Sequence, residues 1–578
     1  MEKRWVYQQG SDPTTAQMLA EAIRIRPFIA DLLIRRGISE YHAAKSWFNP
    51  SEDQMHDPFY MKGMKEAVER LENAIRNDER ILIYGDYDVD GTTAVSLVYG
   101  FLCSRYPNVS YYIPDRYKEG YGLSAEGIQY AADNAFDLII TLDCGIKAID
   151  RIAAGREKGL DFIVCDHHLP GENLPDAVVL DPKQKGCDYP YKELTGCGIG
   201  FKLIQALSMS DPGVHPREIY DFLDLVALSI GADIVPVTGE NRVLASIGLS
   251  MLNRSPRPGI RALLRLAKKQ LPMTIEDLVF IVAPRINAAG RMDSASLAVE
   301  LFLASDEDTA MEYAKYLEDL NLDRKTLDKE TTEEALEQIR KDPFLQTSNS
   351  SLVFSETWHK GVIGIVASRL TETYYRPTVV LTSVNGVATG SVRSVQGFNV
   401  YEALEACEDV LTQFGGHDFA AGLTLPVDQI KLFRERFEEE VNRRLGEEHK
   451  TPVLEIEEDL PLADANESLY GIIQRMEPFG PGNMKPVFSS RNVLDAGGTR
   501  AVGSDGAHLK LEITQAGYNG KPIQGIGFGL GHLAEEISGG MPFHVAYTLD
   551  ENHWNGRTTL QLNVKDIRMD TGVENHAQ

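Results

Sequence analysis

Between Met64 and about Met251 the chain alternates short apolar runs with segments whose apolar positions recur every three or four residues. Ile81 to Tyr84, Val109 to Ile113, Leu138 to Leu142, Phe162 to Cys165 and Val178 to Leu180 are continuous hydrophobic runs of strand length. Runs of that kind belong to strands buried on both faces. Helices are predicted at Met64 to Asn77, from Gly91 through Phe101, around Gly200 to Leu207, and at Tyr220 to Ile230. This alternation predicts βα units around a mainly parallel sheet.

The pattern changes three times further on. From Ala298 to Arg340 no Pro or Gly interrupts a polar, helical texture, which predicts a rigid helical connector. A second α/β unit is predicted from Ser351. Its strands are Leu352 to Ser355, Thr378 to Thr382, Val387 to Val392 and Ala420 to Leu425; its helices are Val362 to Thr371, Tyr401 to Leu411 and a charged one ending at Leu445. After Lys450 the strands become short and alternating, with Gly turns, as in Leu509 to Ile513, Ile523 to Phe528, and a hairpin of Val545 to Leu549 with Thr558 to Val564 around Asn555-Gly556. That texture predicts a small antiparallel barrel, an OB-fold. The expected domains are a helical cap (1–50), a parallel-sheet catalytic domain (51–297), the connector (298–345), a smaller α/β domain (346–450), the barrel (451–570) and a tail (571–578). About three to four domains suit 578 residues.

Charge and cysteines narrow the function. The six cysteines form no CxxC pair, which suits free thiols in a reducing cytoplasm. No uncharged apolar run is long enough to span a membrane, and no signal or transit peptide fits the polar first twenty residues. A net charge of −27 argues against a protein that coats nucleic acid through a broad basic surface, though not against a narrow basic channel. One stretch runs the other way: Asn253 to Lys269 carries Arg254, Arg257, Arg261, Arg265, Lys268 and Lys269 with no acid. It reads equally well as a solvated helix face or as a face for a phosphate backbone.

The candidate chemistry lies at three strand ends. Gly85-Asp86-Tyr87-Asp88-Val89-Asp90-Gly91, Leu142-Asp143-Cys144-Gly145 and Cys165-Asp166-His167-His168 each follow an apolar run. Open α/β sheets bind ligands beyond the carboxyl ends of their strands. One Asp at a strand end is often just the cap of the next helix, but three successive strands delivering acids and histidines form a hard-ligand cluster suited to a divalent metal. Asp88 and Asp90 are spaced to face one cation, Asp143 is placed to bridge two, and His167 offers an imidazole. Asp166 is expected to fix the tautomer of His167, which leaves His168 to face the substrate. Asp233, in Gly231-Ala232-Asp233-Ile234-Val235-Pro236, completes the set.

These motifs, in this order, resemble motifs one to four of the DHH phosphoesterase superfamily. Arg116 to Gly122, Pro284 to Arg291, Trp358 to Gly364, Gly390 to Ser394 and Phe414 to His417 narrow the resemblance to the RecJ-type single-strand-specific 5′→3′ DNA exonucleases. The resemblance runs from about residue 20 to 570. It implies a DHH catalytic domain, a DHHA1-type second domain, and two Mn²⁺ or Mg²⁺ ions held by Asp88, Asp90, Asp143, His167 and Asp233, with Asp86 as a further motif acid. It makes His168, Asp143 and Asp166 catalytic. It assigns His168, Arg285, Ser391, Arg393 and His417 to the scissile or terminal phosphate, and Arg116 and Tyr121 to the strand, Tyr121 by stacking on a base. Without that context Gly415-Gly416-His417 reads as a turn, and Trp358-His359 as core plus cap. The implied substrate is single-stranded DNA with a free 5′ end, cut in repair and recombination by a cytoplasmic monomer. A single-strand-binding protein and a helicase are the further partners. The alternatives are a small-substrate phosphoesterase acting on short oligonucleotides or cyclic dinucleotides, which would not need the barrel, and a non-enzymatic replication scaffold, in which metal ligands should have been lost.

Overall fold

Ile81–Gly85 (β1), Val109–Tyr112 (β2), Leu138–Leu142 (β3), Asp161–Cys165 (β4) and Val178–Leu180 (β5) form one all-parallel sheet in the order β2-β1-β3-β4-β5. In this computed structural model, which describes residues 2–211, 213–554 and 557–570, every side chain of β1 and β3 is buried. That explains their unbroken apolar sequence, because helices cover both faces of the sheet. The strand order reverses between β1 and β3. A crevice opens at such a switch point beyond the carboxyl ends of the strands, and the acids of the first two motifs lie there.

Helices Val89–Cys103 (α1), Gly196–Ser210 (α2) and Leu223–Ala232 (α3) pack with the sheet into one core, in which Val98, Leu142, Ile199, Phe201 and Leu228 are fully buried. Ala283–Met292 (α4) leads to the connector, which differs from the sequence expectation. Instead of one helix from 298 there are two, Ser296–Leu303 and the 35-residue Glu307–Lys341 (α5). The break falls where Asp306 caps α5 by accepting the Thr309 N–H at 2.9 Å. The first of the two is apolar and buried rather than polar.

The second sheet consists of Ser351–Ser355 (β6), Thr378–Val384 (β7), Val387–Arg393 (β8), Gln413–His417 (β9) and Ala420–Pro426 (β10), in the order β9-β10-β8-β7-β6, with only β6 and β7 parallel. β9 replaces the turn that Gly415-Gly416-His417 suggests on its own. Glycine fits there because a Cβ on Gly416 would meet Ala420 O at 2.4 Å across the hairpin. Helix Ile363–Tyr374 (α6) lies against this sheet, where Val366 and Leu370 pack on Val353 and Val380.

The chain divides into two compact units, residues 52–452 and residues 1–51 with 453–578. The second unit holds the barrel. Phe488–Asp495 (β11), His508–Gln515 (β12), Ile523–Gly527 (β13), Phe543–Trp554 (β14) and Arg557–Met569 (β15) close a ring through the pairs β11–β12, β12–β13, β13–β15, β15–β14 and β14–β11. This is the OB arrangement, with one departure from the purely antiparallel expectation: β13 and β15 run parallel. The expected turn at Asn555-Gly556 lies outside the described residues. The N-terminal segment belongs to this unit. Its strand Arg4–Tyr7 pairs with Val453–Ile456, and Leu19, Ile29, Leu32 and Leu33 share a core with Leu462, Phe488 and Tyr547.

Candidate metal centre and phosphate site

Local backbone geometry brings the acids together. Asp88 caps α1 by accepting the Gly91 N–H at 3.0 Å. Asp90 is held from the far side: Gly196 N and Cys197 N donate to it at 2.6 and 2.8 Å, and Ser229 Oγ at 2.6 Å. Asp143 follows β3 with φ of 60° and Ile234 follows Asp233 with φ of 59°. A left-handed backbone is costly for a β-branched residue, and such strain collects at functional sites. His167 Nε2 lies 3.1 Å from Asp143 Oδ1, 3.6 Å from Asp233 Oδ2 and 3.7 Å from Asp90 Oδ2.

Two ligand groups share Asp143. Asp86, Asp88 and Asp143 converge on one side; Asp143 also converges with His167 and His168, and Asp90, His167 and Asp233 form a third set beside them. Both oxygens of Asp86, Oδ1 of Asp143, Oδ2 of Asp233 and both ring nitrogens of His167 are buried and, among the described residues, without a hydrogen-bond partner. Such orphaned groups are expensive unless something binds them, and oxygen with imidazole suits Mn²⁺ or Mg²⁺. Burial first, then the charges of Asp90 and Asp88, hold Asp143 and Asp233 well above the ordinary carboxylate range. Burial and Asp88 do the same to Asp86, and burial and Asp90 raise Asp88. Burial pushes His167 down, toward the neutral form that can ligate.

Asp166 does not orient the ring of His167, as the sequence suggested. It accepts from His168 Nδ1 at 2.7 Å, from the His168 N–H at 3.1 Å and from the His167 N–H at 2.8 Å. Two consecutive residues on a chain leaving a strand point apart, and the tight turn folds the second ring back onto the carboxylate. Burial opposes charge on both partners, but their mutual bond prevails: Asp166 is held below its usual range and His168 above its own. His168 Nε2 meets the Tyr121 hydroxyl at 3.1 Å. The Tyr121 ring stays 58% exposed, free to stack on a base. A cavity of about 530 Å³ is walled by Asp88, Asp143, Asp233, His168, Tyr121 and, from the end of β9, His417.

A second cluster has the opposite sign. Arg393 Nη1 donates to Ser391 Oγ at 2.9 Å, as alternate residues on one strand face allow. Gly364, in the first turn of α6, leaves bare backbone there, since a Cβ would crowd Ser391 Oγ and Arg393 Nη2 at 3.2 Å. Burial first, then Arg116, depresses Arg393 and Lys360. Burial, Arg116, Arg324 and Arg393 push Arg291 down to about 10. Arg116 lies over the Tyr87 ring at 4.8 Å. Mutually repelling, partly buried guanidinium groups beside a helix N-terminus have the chemistry to hold a phosphate.

Comparison with known proteins matches most of the chain, domain by domain. Residues 80–230 match the DHH family N-terminal domain, 348–443 the DHHA1 domain and 456–566 the RecJ OB domain. The single-stranded-DNA-specific exonuclease RecJ of Bacillus subtilis (strain 168) is 38% identical over 568 residues, covering 97% of this chain and 70% of that protein. Its namesake from Escherichia coli (strain K12) is 36% identical over 535 residues, covering 88% and 90%. The chain belongs to the RecJ family. The crystal structure of RecJ in complex with Mn²⁺ from Thermus thermophilus superposes with a TM-score of 0.83 at 29% identity, covering 98% of this chain and 79% of that one. A structure of the same RecJ with Mg²⁺ is also similar, with a TM-score of 0.78.

Among the RecJ-type residues expected at the phosphate, Arg285 is placed elsewhere. It is buried and forked onto Glu318 of α5, with its Nη2 3.2 Å from Oε1. Six residues along a helix turn a side chain about 600°, so Arg285 and Arg291 leave α4 on different faces, and Arg291 is the one that joins the cluster, bonding to Gly361 O at 3.1 Å. Both arginines stand in one sequence motif, and Gly290 beside Arg291 sits against Tyr87, where a Cβ would meet Tyr87 O at 2.7 Å. Asp181, which follows β5, is fully buried with Oδ2 unpartnered among the described residues, and burial raises it to about 7. The basic stripe is largely structural. Arg257 forks onto Asp224 at 2.6 Å, Arg261 reaches Glu307 at 2.9 Å and Lys269 reaches Asp277 at 2.7 Å. Trp358 is core, its indole N–H donating to Glu334 at 2.7 Å.

Proposed function

We propose that this chain is a metal-dependent exonuclease that hydrolyses single-stranded DNA from the 5′ end, in DNA repair and recombination. The observation that carries the reading is the adjacency of two like-charged clusters, buried carboxylates without hydrogen-bond partners and half-buried arginines without an ion pair among the described residues, meeting at Tyr87 and Asp86. Two divalent ions, held by Asp88, Asp90, Asp143, His167 and Asp233 with Asp86 beside them, would activate water and neutralise the scissile phosphate. The residues do the rest. Asp166 keeps His168 protonated, so that its Nε2–H can donate to a phosphate oxygen in place of Tyr121. His417 closes the cavity wall. Ser391, Arg393, Arg291 and Arg116 grip a terminal 5′-phosphate with charge-assisted bonds, which sets the register of cutting from that end. Tyr121 stacks on a base without reading sequence.

The matched OB domain weighs against a small-substrate phosphoesterase, which has no strand to guide. The complete acid set weighs against a scaffold. No helix among the described residues is long and apolar enough to cross a membrane. A monomer working in the cytoplasm beside a single-strand-binding protein and a helicase fits this role. The test uses 5′- and 3′-labelled single strands and duplexes with Mn²⁺, Mg²⁺ or chelator. Release of label first from 5′-labelled single strands, only with metal, is the expected result; 3′-first release or metal-independent cleavage would overturn it.

A further inference from the structure

The catalytic cavity does not end at the acids. Its far wall is the segment that follows Asp143, and it brings Lys147 and Arg151 to the same space. The turn is fixed by Gly145 (φ 113°), by the Ala148 N–H donating to Gly145 O at 2.9 Å, and by the Ile146 N–H donating to Asp166 Oδ2 at 2.9 Å. The carboxylate that holds His168 therefore also holds the segment carrying Lys147. Arg151 stands in the first turns of helix Ile149–Glu157.

These cations differ from others on and just after the same helix. Arg156 pairs with Asp161 and Asp176 at 3.1 and 3.0 Å, and Lys158 donates to Gln129 at 3.0 Å. Lys147 and Arg151 are exposed, and among the described residues neither forms an ion pair. In a chain of net charge −27, two unpaired cations beside four carboxylates call for a ligand anion. The cavity thus offers an acid end, which takes a phosphate through metal ions, and a cationic end, which takes a phosphate directly. Leu123, Ile146 and Ala148 add apolar surface to the same cavity. Two phosphates joined by a nucleoside match that order of charges.

The order of strands gives the direction. Arg116 follows β2, the metal acids follow β1 and β3, and the Lys147 segment is tied to Asp166 after β4. We propose that Lys147 and Arg151 seat the phosphate on the 3′ side of the scissile one, with the intervening nucleoside in the cavity. This rests on the exonuclease reading above, in which the Arg116 cluster takes the 5′-phosphate.

The test compares a 5′-phosphorylated dinucleotide, whose one linkage is the scissile one, with a trinucleotide, which adds the next phosphate. In the full chain with Mn²⁺, K147Q/R151Q should leave kcat/KM on the dinucleotide within about twofold. It should lower it about tenfold or more on the trinucleotide, mainly through KM, as removal of a charge-assisted bond to phosphate does. K147R should retain native values. A neutral methylphosphonate at the second linkage should slow the native enzyme by a similar factor and the double variant little further. For long strands the salt dependence of KM should flatten by about 0.7 in log–log slope for each phosphate that is no longer neutralised. Equal losses on both substrates, or none on either, would overturn the seat while leaving the exonuclease reading intact. Absence of cleavage by the native chain would instead remove that reading, and the seat with it.

Discussion

Among the described residues, Asp86, Asp143 and Asp233 bury carboxylate oxygens that no hydrogen bond satisfies, whereas Arg116, Arg291 and Arg393 gather guanidinium groups with no ion pair. Each cluster is unfavourable by itself, because like charges and desolvation act in the same direction. They are assembled differently. Asp86 and Asp143 follow adjacent parallel strands and Asp233 caps the end of α3, so one compact core sets their spacing. The cations arrive from four places: the chain after β2, the end of α4, the turn before α6 and the strand β8. The first cluster is a local device that concentrates charge for metal ions. The second exists only because two lobes meet, which suits a group that must tell a chain end from the chain's middle.

The largest effect expected from breaking this pair falls on Asp143. Asp143→Asn keeps the shape but removes the carboxylate common to two ligand groups. Turnover of a 5′-phosphorylated strand in Mn²⁺ should fall by about a thousandfold or more, since metal stabilisation is worth several kcal/mol. Melting should separate chemistry from folding. Mn²⁺ at a hundred times its Kd should stabilise the native protein by about 2.7 kcal/mol, and the variant by much less. Without metal the variant should melt no lower than the native chain. Near-native turnover would break the two-metal side of the comparison.

Arg291→Ala and Arg393→Ala test the other cluster. Each should slow cleavage of 5′-phosphorylated strands about ten- to a hundredfold, from a bond worth roughly 1.5–3 kcal/mol. Neither should much affect 5′-hydroxyl strands. A loss that is equal on the two substrates would place these arginines on the scissile phosphate instead.

A smaller effect links the clusters through His168. Asp166 raises its pKa, and we take the protonated ring as the donor to phosphate. Activity that needs the protonated ring is present below its pKa and lost as pH rises through it. In Asp166→Asn the pKa falls, so the alkaline loss of kcat should move to lower pH, along with a modest loss at acid pH from a less rigid ring. An unshifted profile would show that His168 titration does not limit the reaction.

How much of this the sequence disclosed follows from the same distinction. The acids of the first three motifs were legible because each motif follows its own apolar strand, and the chain writes strand and ligand within ten residues, whereas Asp233 follows a helix and was legible only through its motif. The five strands and the order of domains were legible for that reason too. What it did not disclose depends on packing. Asp166 orienting His168 rather than His167 is a matter of turn geometry. The choice between Arg285 and Arg291 depends on which face of α4 meets α5. The stripe from Arg254 to Lys269 looked unpaired because Asp224, Asp277 and Glu307 approach from elsewhere in the fold. The union of residues 1–51 with the barrel spans the whole chain, and no local pattern records it.

The smallest effect on chemistry should come from Arg285, and it sharpens the comparison because Arg285 and Arg291 share one helix. Arg285 is buried against Glu318, an anion of the protein itself, so it has nothing left to offer a phosphate. Arg285→Gln should leave the ratio of 5′-phosphorylated to 5′-hydroxyl cleavage unchanged, and kcat within about threefold. Its cost should fall on stability. Removing one partner of a buried pair leaves Glu318 uncompensated, although that carboxylate is partly exposed and solvent softens the loss to about 1–3 kcal/mol. Glu318→Gln should cost a similar amount, and the double variant should cost less than the sum of the two, as coupled neighbours do. Strong loss of 5′-phosphate preference in Arg285→Gln, with melting unchanged, would move Arg285 back into the phosphate cluster and dissolve the distinction drawn between the two faces of α4.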